Sequence, residues 1–184
     1  MSRVAEATIE DLYREPGKAE LIDGRIVRYM ATGLLPNLVA FRIVRSLDDY
    51  CRTRGSGVAL TDNIGFSVTR LRSGRQSFSP DASYYAGPLP KNRMRFIDGP
   101  PTFAVEVRSE GDYGEAAEAA LEAKRADYFE AGTLVVWDVD PLDGLVRAYR
   151  AASPDVPATY RRGQEATAEP AVPGWTVSVD SLVE

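Results

Sequence analysis

The sequence predicts an α/β fold in which a mixed β-sheet is flanked by helices. Residues 103–139 have the order strand, helix, strand, which makes the two strands parallel and places the helix on a face of the sheet. Short strands joined by tight turns precede this unit and favour antiparallel pairing. An apolar stripe of helical period over residues 36–54 predicts a second helix to cover the sheet.

The N-terminal part predicts a helical turn and a hairpin. Residues 8–12 follow the capping residue Thr8, whose hydroxyl can accept a backbone N–H bond of the first turn. Residues 19–30 form two apolar segments around Asp23-Gly24, a dipeptide typical of two-residue hairpin turns. We therefore expect the chain to begin with a short helix followed by a β-hairpin.

The central part predicts one long helix and then several short strands. The helix ends at Gly55, a residue suited to a left-handed C-terminal cap. A long loop rich in proline, glycine and basic residues is expected over residues 87–101. The predicted strands cover residues 58–60, 64–68, 76–85 with an interruption at Pro80, and 102–108.

The last part predicts the second helix, two core strands and an irregular tail. The helix spans residues 112–131, and the strands span 134–139 and 145–150. The many prolines of residues 151–173 predict irregular structure with one strand at 158–161, before a last edge strand at 175–179. We expect a single domain over residues 1–184. Its parts are an N-terminal helix and hairpin (1–35), a core (36–150) and an irregular C-terminal extension (151–184).

Composition excludes several kinds of site. The chain has 184 residues, no His and one Cys, which excludes Ser-His-Asp triads, His metal ligands, zinc clusters and internal disulfides. Chemistry must therefore come from carboxylates, Lys, Arg, Tyr, Ser or a bound hard cation. The formal charge of −5 provides no global attraction for nucleic acid, so DNA binding would need a local basic patch or metal ions.

The sequence also predicts a cytoplasmic protein without a membrane partner. No apolar run approaches the ~18 residues of a membrane span. Residues 1–12 are acidic and lack the basic start and apolar run of a secretory signal.

Glu106 is the first candidate for a functional role. On a strand it lies on the same face as Ala104 and Arg108, opposite Phe103 and Val105. A carboxylate in a buried strand is costly unless it is paired or binds a metal. An ion pair with Arg108 or another base at the sheet end is equally compatible with this pattern.

Asp81 is the second candidate, because it directly follows Pro80. Proline cannot donate to a β-ladder, so it marks an edge, a strand start or a bulge. The next side chain can then turn out of the ladder towards a site. An ordinary Pro-Asp turn explains the same dipeptide.

Lys124 is the third candidate. Its helical neighbours Ala120, Leu121 and Tyr128 form a face suited to packing on the sheet. A Lys on such a face either extends outwards to solvent or points to buried acids. Two carboxylates and a Lys that converge would form a hard-cation site with an adjacent base.

These segments together resemble the Uma-type restriction endonucleases, a bacterial branch of the PD-(D/E)XK nuclease superfamily. The resemblance extends from about Glu20 to the C-terminus, and it depends on the order and spacing of its motifs. The matching segments are Glu20-Leu21-Ile22-Asp23-Gly24, Ser79-Pro80-Asp81, Gly99-Pro100-Pro101, Val105-Glu106-Val107-Arg108-Ser109, Lys124 with Tyr128 and Ala131-Gly132, Trp137-Asp138-Val139-Asp140-Pro141, and Val172-Pro173-Gly174-Trp175.

The resemblance implies a restriction-endonuclease-like core and a site for Mg²⁺ or Mn²⁺. It implies Asp81 and Glu106 as metal ligands, and the corresponding mechanism adds the Val107 carbonyl. The common superfamily pattern has a Lys two residues after the Glu, where this chain has Arg108, and arginine cannot act as a base. In this branch the Lys is displaced onto the following helix, where Lys124 would orient or deprotonate the attacking water.

Two further positions follow from the resemblance. Glu20 matches the family's N-terminal acid, which is implied to hold the metal or its water, although a surface acid of the hairpin is an equal alternative. Relatives often have a His near the start of the first long helix, where this chain has Asn37.

Two groups of basic residues are candidates for contacts with the DNA backbone, and both lie in predicted loops. Solvent-exposed loop charge is the alternative explanation for both groups. The residues are Arg70, Arg72, Arg75, Lys91, Arg93 and Arg95.

Three functions compete at this stage. The first is Mg²⁺-dependent endonuclease activity on DNA, with a homodimer suited to cutting two strands. The second is a catalytically inactive homodimer of nuclease fold that acts as a binding module, which Arg108, Asn37 and the acidic charge favour. The third is a metal-dependent hydrolase of a smaller phosphate ester.

Overall fold

The computed structural model describes residues 6–184. In chain order, the elements of this part are α1 (Ile9–Leu12), β1 (Ala19–Ile22), β2 (Arg25–Arg28), α2 (Leu34–Arg54), β3 (Val58–Thr61), β4 (Phe66–Ser67), β5 (Ser77–Phe78), β6 (Ala82–Tyr85), β7 (Ile97–Asp98), β8 (Phe103–Val107), α3 (Glu115–Ala131), β9 (Val135–Asp140), β10 (Leu145–Arg150), β11 (Ser153–Arg161), β12 (Glu165–Thr167), β13 (Thr176–Ser178) and α4 (Val179–Val183).

A six-stranded mixed sheet is the centre of the fold, with the strand order β11-β10-β9-β8-β6-β3. The pair β8 and β9 is parallel, with Glu106 opposite Asp138, and the other pairs are antiparallel. The predicted strand-helix-strand unit is therefore confirmed, with α3 as its helix. The predicted α/β class with a mixed sheet is confirmed as well.

One face of this sheet packs against α2, α4 and the C-terminal segment. Phe103 and Val105 of β8 point to this side, together with Trp137 of β9. The ring of Trp137 lies 5.2 Å from that of Trp175, which anchors the C-terminal segment in the core. The apolar stripe predicted for α2 is the side that is buried here, and its helix ends at Gly55 in the left-handed conformation.

The other face packs against α3 and a small three-stranded sheet of order β5-β4-β7. Tyr128 of α3 is fully buried and stacks on Phe78 of β5, with 4.1 Å between ring centroids. Glu106 points to this side, as the alternation along β8 predicts. The functional candidates thus lie between the main sheet, α3 and the small sheet.

The hairpin of β1 and β2 is joined to the small sheet. Its turn residues Asp23 and Gly24 both have positive φ, at 48° and 66°, which fits the predicted Asp-Gly turn. The backbone of Leu21 accepts a bond from Gln76 N and donates to the hydroxyl of Ser77. These bonds hold Lys18 and Glu20 next to the segment that precedes β6.

The prediction of irregular structure over residues 151–173 is wrong. Ser153–Arg161 is a nine-residue strand, β11, and Glu165–Thr167 is a short strand, β12, that pairs with β13. Pro154 and Pro157 are accommodated because β11 is an edge strand, where a missing backbone donor is tolerated. Within residues 6–184, no helix has the length and apolar content that crossing a membrane requires.

Candidate active site

Asp81 is fixed at the point where Pro80 separates β5 from β6. Its N–H donates to the Val105 carbonyl at 3.0 Å, and its Oδ2 accepts the Val107 N–H at 2.8 Å. The N–H and C=O of one strand residue point to the same side, so the Val107 carbonyl also lies on the side of Asp81. Carboxylate and carbonyl are thereby brought to one edge of β8.

Glu106 lies on β8 next to Asp81 and is held by two residues of α3. Its Oε1 accepts bonds from the Tyr128 hydroxyl at 2.7 Å and from Lys124 Nζ at 2.8 Å. Burial raises the pKa of Glu106, and the charge of Asp81 adds to this effect although Lys124 opposes it. An added positive charge at this position would therefore be stabilising.

Lys124 points inwards from α3 and joins two acids. Its Nζ also lies 3.2 Å from Glu20 Oε1, and its side chain is 12% exposed. Burial alone would lower the pKa of Lys124, but the charges of Glu106 and Glu20 outweigh it and raise the pKa. Lys124 is therefore a positively charged donor in this arrangement, which favours the water-orienting role over the water-deprotonating one.

Glu20 is fully buried, so it is not a surface acid of the hairpin. One oxygen accepts from Ser79 N at 2.9 Å and faces Lys124, and the other accepts from the Tyr29 hydroxyl at 2.8 Å and from Arg75. Burial would raise the pKa of Glu20, but the charges of Lys124 and Arg75 lower it to about 2. Both oxygens are occupied, so Glu20 is placed to orient Lys124 rather than to hold a metal or its water.

Arg75 does not belong to an exposed basic loop, contrary to the prediction of a DNA contact. It is 6% exposed, and it pairs with Glu20 and, through Nε at 2.8 Å, with Asp127 of α3. The guanidinium also lies 5.1 Å from the ring centroid of Phe78. Its role is to hold Glu20 and α3 in place from inside the protein.

Lys18 is a second cation at the site, and the sequence analysis missed it. Its Nζ lies 2.6 Å from Asp81 Oδ1 and 2.7 Å from Asp62 Oδ1. Asp62 follows β3 in a turn, so no helical or strand pattern connects it with Lys18. The only sequence signal was proximity, since Lys18 comes two residues before Glu20.

These residues form two groups of ion pairs at a cavity of about 510 Å³. Lys18 pairs with Asp62 and Asp81, while Arg75 and Lys124 join Glu20, Glu106 and Asp127. The cations are Lys18, Arg75 and Lys124, and the carboxylates belong to Glu20, Asp62, Asp81, Glu106 and Asp127.

The donors at this cavity fit a hard divalent cation, which prefers carboxylate and carbonyl oxygens. Within residues 6–184, no three acidic side chains form a complete cation cage. An ion would therefore combine the carboxylates of Asp81 and Glu106 with the Val107 carbonyl and water.

The other predicted DNA contacts lie on the surface, outside the residues that line this cavity. Arg72, Lys91 and Arg93 are exposed. Arg70 pairs with Glu6 and Asp23, while Arg95 pairs with Glu10. Arg72 also lies 3.8 Å from a carboxylate oxygen of Glu130. The structure thus divides the six predicted contacts into one buried residue, three paired surface residues, and two exposed residues, Lys91 and Arg93, that form no ion pair within residues 6–184.

Arg108 lies two residues after Glu106, where the resemblance implies a Lys in the common superfamily pattern, and its side chain turns to different partners. It donates to both oxygens of Asp138, at 2.7 and 2.6 Å, and it pairs with Glu118 in the first turn of α3. Arg108 as a whole is 5% exposed. Arg108 therefore fastens the start of α3 to β9, and α3 in turn positions Lys124.

Asn37 lies close to the same acids. With Asp62 and Asp81 it lines a small cavity of about 140 Å³ beside the first turns of α2. A larger side chain at position 37 would thus approach the Asp62–Asp81 pair.

Comparison with known proteins agrees with this geometry. The family model Uma2, described as "Putative restriction endonuclease", matches residues 7–180. No curated protein sequence matches the chain. A crystal structure described as a "putative nuclease belonging to DUF820", from Anabaena variabilis, is similar with a TM-score of 0.74 at 16% identity, over 96% of this chain and 97% of that one. At this identity the similarity shows that the fold is shared.

Proposed function

The chain belongs to the Uma2 family of restriction-endonuclease-like proteins, and on this basis we propose that it is an endonuclease that hydrolyses DNA phosphodiester bonds with Mg²⁺ or Mn²⁺. One observation supports this function above all others. Asp81 and Glu106 line the same accessible cavity, and Lys124 lies 2.8 Å from Glu106 at its wall.

In this proposal Asp81, Glu106 and the Val107 carbonyl hold the ion. The bound ion would polarise the phosphoryl oxygen and lower the pKa of its water. Tyr128 fixes the orientation of Glu106 through the bond to Oε1. Asp81 is fixed independently by the Val107 N–H, so both ligands are preorganised by β8 and its neighbours.

Lys124 acts as the positively charged donor of the site. Its ammonium orients the attacking water and stabilises the negative charge that develops on the phosphate. Glu20 forms an ion pair with Lys124, and Tyr29 and Arg75 hold Glu20 in turn. Because the pKa of Lys124 is raised, it keeps its proton at neutral pH.

A neighbouring cavity of about 930 Å³ shares Met30, Thr32, Arg108, Ser109 and Gly111 with the catalytic one. The exposed Arg72, Lys91 and Arg93 are the proposed contacts to more distant phosphates, since phosphate neutralisation supplies most non-specific affinity. Replacing all three with Gln should weaken DNA binding and reduce its dependence on salt.

The test is cleavage of supercoiled plasmid with Mg²⁺ or Mn²⁺ by the wild type, Asp81→Asn, Glu106→Gln and Lys124→Met. We expect the wild type to cut and the three variants to be strongly impaired. Arg52→Met is the matched surface control, because Arg52 is exposed and pairs only with Asp48 on the same helix. Equal cleavage by all five proteins would indicate a contaminant and overturn the assignment.

A catalytically inactive binding module is the second candidate, and Asn37 is the observation that favours it. Relatives often have a His where this chain has Asn37, and this position lies beside Asp62 and Asp81. Either function suits a homodimer, which light scattering would detect. Titration with Mn²⁺ in a calorimeter separates the two functions, because a catalytically inactive site should bind the ion weakly.

A further inference from the structure

Lys18 occupies the place beside Asp81 that a divalent cation needs. Its ammonium lies 2.6 Å from Oδ1 of Asp81, while Oδ2 of the same carboxylate is bound to the Val107 N–H. Oδ1 is therefore the oxygen of Asp81 that an ion would use, and Lys18 has to release it first.

Asp62 offers the ammonium a second position without a large movement. Its Oδ1 already lies 2.7 Å from Lys18 Nζ, and the same oxygen accepts the Asn63 N–H at 2.8 Å. This bond fixes Asp62 in the turn after β3, where Asn63 has a positive φ of 69°. The Lys18 side chain is 17% exposed, so its head group can shift along the cavity wall.

We propose that Lys18 is a tethered cation that occupies Asp81 in the metal-free protein and is retained by Asp62 when a divalent cation binds. The inference rests on the metal site of the proposed function. Before an ion binds, the positive charge of Lys18 offsets the repulsion between the carboxylates of Asp81 and Glu106. Asp62 is then a positioning residue, which affects the metal through Lys18 and does not ligate it.

The electrostatic consequence is competition. An ammonium and a divalent ion within a few ångströms of the same carboxylate repel each other strongly at low local dielectric. Removing the charge of Lys18 should therefore tighten metal binding. Removing Asp62 should weaken it, because Lys18 would then stay on Asp81.

A double-mutant cycle tests this with Mn²⁺ affinity measured by calorimetry on the full chain. We expect Lys18→Met to bind Mn²⁺ about tenfold more tightly and Asp62→Asn to bind it about tenfold more weakly. In the Lys18→Met background, Asp62→Asn should weaken binding clearly less than in the wild type, because only the direct attraction between the Asp62 charge and the ion is then lost. Lys18→Gln serves as the second variant if the Met protein does not fold, and Arg52→Met is the charge-matched control.

Two outcomes would overturn the inference. Unchanged or weaker binding by both Lys18 variants would mean that Lys18 does not compete with the ion. An equal loss on Asp62→Asn in both backgrounds would mean that Asp62 acts on the ion directly, by its charge or as a ligand, and not through Lys18. Plasmid cleavage measured on the same samples separates this inference from the nuclease function. If the Mn²⁺ affinities change as predicted but no protein cleaves DNA, the role of Lys18 is supported and the nuclease function is rejected.

Discussion

The ammonium of Lys124 lies 2.8 Å from Oε1 of Glu106, the oxygen that also accepts the hydroxyl of a tyrosine one helical turn further along α3. Both donors of α3 thus bind one oxygen of the carboxylate. Among residues 6–184, no hydrogen-bond donor contacts Oε2. The carboxylate is held firmly on one side while its second oxygen stays available to a ligand.

Replacing Lys124 should separate catalysis from metal binding. We expect Lys124→Met to reduce plasmid cleavage by about 100-fold or more, the size of effect seen when a donor to developing charge is removed. Mn²⁺ affinity should stay the same or increase, because a positive charge beside Glu106 is lost. Lys124→Arg keeps that charge and should be less impaired. Cleavage by Lys124→Met within twofold of the wild type would remove Lys124 from the mechanism.

Glu20 should make the protein sensitive to acid. Its pKa is lowered from 4.5 to about 2 in the folded state, so the stability it contributes is fully present above pH 4.5 and lost as the pH falls towards 2. The contribution is roughly 3 kcal/mol. In Glu20→Gln, the deficit in the free energy of unfolding should therefore shrink steadily from pH 5 to pH 2. Urea unfolding at several pH values measures this, and a deficit that stays constant over that range would contradict it.

Removing Arg108 should destabilise the protein strongly. Arg108→Met leaves Asp138, which is 2% exposed, without its bidentate partner, and breaking a buried pair in this way costs about 3–5 kcal/mol. The exposed pair of Arg52 with Asp48 is the matched comparison, and Arg52→Met should cost less than about 1 kcal/mol. Urea unfolding of both variants provides the measurement. Similar losses in the two would show that the Arg108 network contributes no more than a surface pair.

Introducing a histidine at position 37 tests whether the wild-type protein is an active enzyme or a catalytically inactive binding module. If the wild type is active, Asn37→His should change the cleavage rate by only a few-fold, because the wild-type site is already complete. If the wild type cleaves DNA only at background level and Asn37→His cleaves about 100-fold faster, the inactive binding module is favoured. A gain of about 100-fold is the size of a general acid–base contribution. Asn37→Gln is the control for side-chain size.

Much of the site follows from local patterns. Alternation along a strand placed Glu106 opposite Phe103 and Val105, and the helical face of Ala120 and Leu121 directed Lys124 inwards. Both inferences require only the period of one element and a sheet-helix contact. The contact between Glu106 and Lys124 is therefore present in the structure, whereas the catalytic role of each remains a prediction.

The errors arise where burial depends on distant parts of the chain. Arg75 lies in a turn that is basic in sequence, but Glu20 and Asp127, from a hairpin and a helix, surround it. Lys18 likewise gains its role from Asp62, which a turn brings to it. Neither partner is signalled by a local period, so the sequence alone predicted Arg75 as a DNA contact in an exposed loop and passed over Lys18.

The prolines of β11 have a consequence for how copies of the protein can meet. An edge strand exposes backbone groups that can pair with a strand of another molecule, which leads to aggregation. β11 is nine residues long and mostly exposed, but Pro154 and Pro157 supply no backbone N–H. The residues that made this segment difficult to predict thus oppose the extension of the sheet into an intermolecular one along this edge.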